Sequence, residues 1–362
     1  MKHPAIGTPG PVVFFGSGET SPSGQRIFDY LFKQFLSGKE EQGVPDSPRV
    51  AVLETPAGFE LNSPQVAGRV VEFLEHHLQN YDPQVQVIPA RKRGTAYSPD
   101  NFKVVEPLLS SDLVFMGPGS PSYAVRQLRG SLAWHMLVAR HRLGGALALA
   151  SAATVAFGAL TLPVYEIYKA GEDAHWIEGL DLLGPYGLPL VMIPHWNNSD
   201  GGDELDTSRC FMGRSRFDRL TGLLPPGLTI VGIDEKTGLF LDLDAGICRV
   251  IGKDGVTVIR KASMKRFREG AAFSLQELGD FRLPEQVESG LPAPLWERAL
   301  ESTGRKNRPA SPSPEVLALV EERQAAREGR EWSHADALRR QIARLGWQIV
   351  DTEEGPRLEE VD

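Results

Sequence analysis

Through about residue 260, short apolar runs rich in β-formers alternate with longer stretches of helical periodicity. The runs are Pro11–Phe15, Val50–Leu53, Val85–Ile88, Leu113–Met116, Ala146–Ala150, Leu190–Ile193 and Thr229–Ile233. Near-continuous apolar strands separated by amphipathic helices predict an α/β fold, with a doubly wound, mostly parallel sheet covered on both faces. Several runs stop at glycine or a polar residue: Gly16-Ser17-Gly18-Glu19, Glu54-Thr55-Pro56, Gly117-Pro118-Gly119-Ser120, Ser151 and His195. Ligand sites in open α/β sheets gather at such strand ends.

Beyond Ile233 the pattern changes. Gly238–Leu243, Gly246–Ile251 and Val256–Ile259, joined by Asp244-Ala245-Gly246 and Lys253-Asp254-Gly255, predict antiparallel hairpins that close the edge of a domain spanning residues 1–262. Residues 263–313 are rich in Pro, Gly and charge and predict a linker. Residues 314–362 predict a small helical module. Pro314 opens one helix, a Ser333/Asp336 capping box opens another that Gly346 stops, and Trp347–Val350 with a Glu353-Glu354-Gly355 turn suggests a terminal hairpin.

At 362 residues and 41% hydrophobic composition the chain can bury one large core and a second, smaller one. With 39 basic against 47 acidic residues the formal charge is −8, so there is no global footprint for a phosphate backbone. Cys210 and Cys248 lie far apart without metal-type spacing, which argues against a disulfide framework or a zinc site. A start without a signal-type apolar core, and no stretch long enough to span a bilayer, predict a soluble cytoplasmic protein.

Chemistry is most expected at Ser151, where the buried run Ala146–Ala150 passes through one hydroxyl into the small-residue start Ala152-Ala153. A strand-to-helix turn lifts a serine above the sheet edge, with helix-terminal N–H groups close by for an oxyanion. The bland alternative is a serine bonded to its own turn. His195, at another strand end, is either a base or a polar terminus packed by Trp196. Gly16, Gly18 and Gly24 make a poor dinucleotide fingerprint because Glu19 would face the pyrophosphate, and no cofactor is expected. The acidic loop 200–206 lacks the spacing of a calcium-binding hand and is expected to be solvated, although its place between His195 and the arginines of 214–219 also allows it to cover the site or favour a cationic substrate.

Taken together, Val12–Glu19, Phe115–Tyr123, Leu149–Ala153, Ile193–Trp196 with Arg214–Leu220, and Val231–Leu239 resemble the cyanophycinase and aspartyl dipeptidase (peptidase E-like) family of serine peptidases. That family's fold is similar to class I glutamine amidotransferases and is flavodoxin-like. The resemblance covers residues 10–262 and implies a hydrolase acting on a peptide or related amide through an acyl-enzyme on Ser151. His195 would be the base and Glu235 the acid that orients it, with Asp234 as an alternative acid. Gly119 and Ala152 would supply oxyanion N–H groups, and Ser120, Arg214 and Arg216 would contact substrate, the arginines through a carboxylate. Helix-surface ion pairs are the other reading of the arginines. Family members carry Gly-Thr-Ser-Ala-Gly-Ala at the elbow, where this chain has Leu149 and Ala153 in the glycine positions. That departure keeps open a second reading, a catalytically silent, peptidase-like protein that binds a small acidic ligand or docks a component of translation, such as tRNA, through its C-terminal module.

Residues 316–358 resemble the C-terminal region of cysteinyl-tRNA synthetases, while the synthetase's nucleotide-binding and zinc-binding motifs do not occur. From Glu315 onward seven basic residues face twelve acidic ones, so contact with tRNA is left open but disfavoured by charge. The expected partners are a small peptide or acidic small molecule, no membrane, and a second copy of the chain if it dimerises.

Overall fold

The computed structural model describes residues 8–40, 47–284, 286–306, 314–329, 331–344, 347–352 and 355–360. Two compact units divide the chain, Met1–Thr303 and Gly304–Asp362. In chain order the first carries β1 (Val12–Phe15), α1 (Pro22–Glu40), β2 (Arg49–Leu53), α2 (Ser63–His77), β3 (Gln84–Ile88), α3 (Phe102–Val105), β4 (Leu113–Met116), α4 (Pro121–Leu128) and α5 (Leu132–Arg142). Then come β5 (Ala146–Ala150), α6 (Ala152–Ala156), β6 (Leu160–Thr161), α7 (Val164–Tyr168), β7 (Ile177–Glu178), β8 (Leu190–Ile193), α8 (Gly213–Gly222) and β9 (Thr229–Ile233). It closes with β10 (Thr237–Asp242), β11 (Ile247–Gly252), β12 (Gly255–Arg260), β13 (Ser263–Arg268), β14 (Ala272–Ser274) and α9 (Ala293–Lys306).

Eight strands form the main sheet in the order β14-β11-β10-β1-β5-β4-β2-β3. The five from β1 to β3 in that order run parallel, and β10, β11 and β14 add antiparallel strands at one edge. Alternation decides which face each side chain serves. Val13, Phe15, Val50, Val52, Ala146, Ala148 and Ala150 pack with Phe28, Phe32, Phe73 and Leu74 of α1 and α2. Their neighbours Val12, Phe14, Ala51, Leu53, Leu147 and Leu149 pack on the other face, with residues of α4, α5 and α6. Both faces are therefore covered, which is why these strands are apolar throughout.

Three expectations are corrected. The runs Leu190–Ile193 and Thr229–Ile233 do not extend the main sheet; they pair in parallel within a separate four-stranded sheet, β13-β12-β9-β8. Val256–Ile259 belongs to that sheet, pairing with β9 and β13, and only β10 and β11 form the edge hairpin. The stretch 263–313 is not a linker over most of its length, since it contains β13, β14 and α9, and Leu295, Trp296 and Ala299 of α9 are buried in the main core. Residues 307–313 lie outside the described residues.

The second unit contains α10 (Pro314–Glu328), α11 (Trp332–Arg344) and a hairpin of β15 (Trp347–Thr352) with β16 (Gly355–Glu360). Its small core joins Val316, Ile342 and Ile349, with Ala326, Ala335 and Leu338 packed together between the helices. The expected helix stop at Gly346 and the turn residues Glu353-Glu354 lie outside the described residues. Among the described residues no helix is long and apolar enough to cross a membrane.

Candidate active site

β5 is buried along its whole length and ends at Ala150; Ser151 then turns sharply, with φ 51° and ψ −111°, before α6 begins. A non-glycine residue held there costs about 1–3 kcal/mol and persists only where its surroundings impose it. Here Thr154 of α6 fixes the turn by donating its hydroxyl to the carbonyls of Leu149 (2.7 Å) and Phe15 (3.0 Å). The result lifts the Ser151 hydroxyl clear of the sheet edge.

His195 follows the carboxyl end of β8, also with positive φ (51°). Its N–H donates to the Gly16 carbonyl at 3.0 Å, and the next N–H, of Trp196, donates to the Ile233 carbonyl at 3.0 Å. Glycine is required at position 16 because a Cβ there would stand 2.0 Å from the Asp234 carbonyl oxygen. The glycine-rich turn after β1 thus lets the ends of the two sheets meet.

Across that seam Ser151 Oγ lies 3.1 Å from His195 Nε2, and His195 Nδ1 lies 3.1 Å from Glu235 Oε1. Glu235 is steadied twice, accepting from the Asn198 side-chain amide at 2.8 Å and donating its own N–H to Asn197 Oδ1 at 2.8 Å. The hydrogen bond from His195, helped by Asn198, holds its carboxyl below the usual glutamate range against the opposing effect of burial. Asp234, the alternative acid, is turned away. Fully buried, it accepts from the Gly255 N–H (3.0 Å) and from Arg266 (2.5 Å). Burial pushes the Glu19 carboxyl up, above the ordinary glutamate range.

Beside Ser151 opens a cavity of about 210 Å³ that includes Gly119 and Ala152 in its lining. Gly119 has φ 145°, and a Cβ on it would stand 2.1 Å from the Pro56 carbonyl oxygen, so only glycine brings the loop this close. Among the described residues neither the Gly119 N–H nor the Ala152 N–H has a hydrogen-bond partner. Ser120 does not line the cavity. Its hydroxyl is buried and caps α4, accepting from the Tyr123 N–H at 3.2 Å and meeting Ser122 at 3.0 Å, while Ser122 donates to Glu166 of α7. Arg214 and Arg216, expected at the substrate, sit on α8 and do not line the cavity either.

The remaining walls were not foreseen. Val164, Tyr165, Tyr168 and Lys169 come from α7 and its end, and Cys210 and Phe211 from the segment after the acidic loop. Arg209, Cys210 and Phe211 have φ of 58°, 58° and 68°, a full left-handed turn of non-glycine residues. Asp206 anchors it: its carboxylate accepts from the Ser208 N–H (3.0 Å), the Ser208 hydroxyl (2.6 Å) and the Arg214 N–H (2.9 Å). Those bonds, led by the Ser208 hydroxyl, pull the carboxyl down to about 2. On the other side the Arg209 guanidinium stacks 3.7 Å from the Trp196 ring and donates to the Trp196 carbonyl at 2.7 Å. The only foretaste in the sequence was the density of Asp and Gly in 200–206.

Both cysteines are free and buried, and burial pushes the Cys210 thiol up to about 12, so it is neutral. Among the described residues no group of three or more His, Cys, Asp or Glu side chains is placed to hold a metal ion.

With this geometry in hand, comparison with known proteins gives two findings. Over 74% of this chain and 97% of the other, the fold is similar to that of a peptidase from an acI-B1 Actinobacterium, with a TM-score of 0.58 at 20% identity. In sequence, a short stretch is similar to cysteine–tRNA ligases: 48% identical over 63 residues to that of Rubrobacter xylanophilus, and 50% over 44 residues to that of Chlamydia abortus. Those stretches cover 17% and 12% of this chain, and the chain spans only 13% and 9% of the ligases' length. No family model matches the chain.

Proposed function

We propose that the chain is a serine hydrolase that cleaves a peptide or related amide through an acyl-enzyme on Ser151. The observation that carries the reading is the unbroken relay from the strained Ser151 hydroxyl through the His195 ring to Glu235, each contact 3.1 Å long. Ser151 Oγ attacks the carbonyl carbon while its proton passes to His195 Nε2. Glu235 holds the Nδ1–H tautomer and stabilises the imidazolium. The oxyanion accepts from the N–H groups of Gly119 and Ala152. As the tetrahedral species collapses the C–N bond breaks, His195 returns its proton to the departing amine, and a water activated by the same imidazole then releases the acyl group.

A fluorophosphonate probe tests this directly. Wild-type protein should become covalently labelled and Ser151→Ala should not; a wild type that stays unlabelled refutes the proposal.

A second reading concerns residues 314–362 and is favoured by the likeness to cysteine–tRNA ligases. In it the module links the hydrolase to tRNA through a local arginine face that includes Arg339 and Arg340. Binding of tRNA by the full chain and by a chain ending at residue 313, compared across a salt series, decides it; identical curves remove the idea.

A further inference from the structure

We propose that the cavity beside Ser151 selects an acyl group with a bulky apolar or aromatic side chain, and not one that bears a carboxylate. This rests on the serine-hydrolase reading and names its substrate class. Three separate segments supply the walls: Val155 from α6, Val164 and Tyr165 from α7, and Cys210 with Phe211 from the left-handed turn. Val155, Val164 and Cys210 are buried, and Cys210 is a neutral thiol here.

Aromatic rings add to these walls. Phe211 packs against the His195 ring (centroids 5.5 Å apart, planes at 47°) and against Tyr168 (5.7 Å, 37°), so one apolar wall begins at the reacting groups themselves. At about 210 Å³ the space is smaller than the 300–1,000 Å³ typical of sites for drug-sized ligands. It therefore holds one side chain and not an extended polymer.

A carboxylate entering this space would lose its hydration without gaining a partner of equal worth. Lys169 is the one cation among the described lining residues. It is exposed, and its ammonium lies 4.8 Å from the Tyr165 ring centroid, so it caps an aromatic face where water still screens it. The arginines that could have matched a carboxylate, Arg214 and Arg216, are absent from the walls. An aromatic or branched aliphatic group, by contrast, exchanges water for contact with Val155, Val164, Tyr165 and Phe211.

Binding to the full-length Ser151→Ala protein separates the pocket from the chemistry. Calorimetric titration with N-acetylphenylalaninamide and with the amide of N-acetylaspartate should show the aromatic ligand binding more tightly by about ten-fold or more. Tyr168→Ala, at an exposed position, should weaken the aromatic ligand several-fold and leave the acidic one unchanged; Val164→Asp should erase or reverse the preference. Equal affinities, no binding by either ligand, or a preference for the acid overturns the proposal. Fluorophosphonate labelling of the wild type is read in parallel. An unlabelled protein that still prefers the aromatic ligand would sink the hydrolase reading and spare the pocket, whereas a labelled protein without the preference would do the reverse.

Discussion

Gly119→Ala is the sharpest probe of the oxyanion geometry. The new methyl would start 2.1 Å from the Pro56 carbonyl oxygen and 2.6 Å from the Ala57 nitrogen, both backbone atoms with no rotamer to move. The loop must retreat by about 1 Å, and a misplacement of that size alone can cost roughly 100-fold in rate. Retreat also pulls the Ser120 N–H from the Pro56 carbonyl, a 3.0 Å bond worth about 1 kcal/mol. Forcing alanine to φ 145° adds about 1–3 kcal/mol of strain. If the Gly119 N–H is one of two oxyanion donors, its loss removes about 100- to 1,000-fold of rate. The assay is the second-order rate constant for fluorophosphonate labelling, with thermal unfolding read alongside. Gly94→Ala is the matched control, because Gly94 also has positive φ (73°) but no atom within 4 Å of its Cβ position. Both variants should melt a few degrees lower, and only Gly119→Ala should lose labelling by about 100-fold or more. Labelling of Gly119→Ala at the wild-type rate, or an equal loss in Gly94→Ala, would refute the assignment.

Two further outcomes follow from the same geometry. Asp206→Ala removes the acceptor for three donors at the left-handed turn, so the Phe211 wall loosens; labelling should slow by about ten-fold and proteolysis within 206–213 should quicken, and an unchanged rate would show that the turn holds itself. His141 is buried and its imidazole is pushed down to about 3 by burial from an ordinary 6.5. Between those values the unfolded chain carries a proton that the folded chain refuses, so stability falls as pH drops through that window, by about 1.4 kcal/mol per unit. Urea melts of His141→Leu should show a shallower pH slope there, by one proton; parallel slopes would contradict it.

The part of the site that could be read in advance lies where one residue's neighbours in sequence are also its neighbours in space. Ser151 and His195 end apolar runs, and a strand end is a local property of the chain. Glu235 was reached through the resemblance, and the structure singles it out from Asp234 only through pairing, because β12 brings Gly255 to Asp234 and leaves Glu235 for the imidazole. Sheet membership was hidden for the same reason. Leu190–Ile193 has the same apolar pattern as Val50–Leu53, and nothing in periodicity says which sheet a strand joins. Arg214 and Arg216 illustrate the converse: their presence in one segment is visible in sequence, while the face that α8 buries is set by Phe217 and Leu220, which pack into the cluster behind the cavity walls, and the arginines do not line the cavity. In α9, the buried Leu295, Trp296 and Ala299 stand among Pro, Gly and charged residues that mask a helical face.

The same distinction bears on whether the elbow works. Leu149 occupies a position where the resembling family has glycine, and in sequence a leucine two residues before the nucleophile looks like an obstruction. Its side chain is instead fully buried in the main core, on the strand register that pairs it with Phe14 and Met116, and Ala153 is buried in the same cluster. Neither lines the cavity. The leucine therefore contributes packing inside the core rather than a wall of the cavity, and the tight turn is carried by Ser151 itself. Leu149→Ala should then behave as a core truncation, losing about 2–5 kcal/mol of stability. Below its melting temperature the fluorophosphonate labelling rate should stay within a few-fold of wild type. If instead the truncation raised labelling sharply, Leu149 would be the obstruction that the silent-protein reading requires; that reading otherwise keeps no residue in the cavity to explain inactivity.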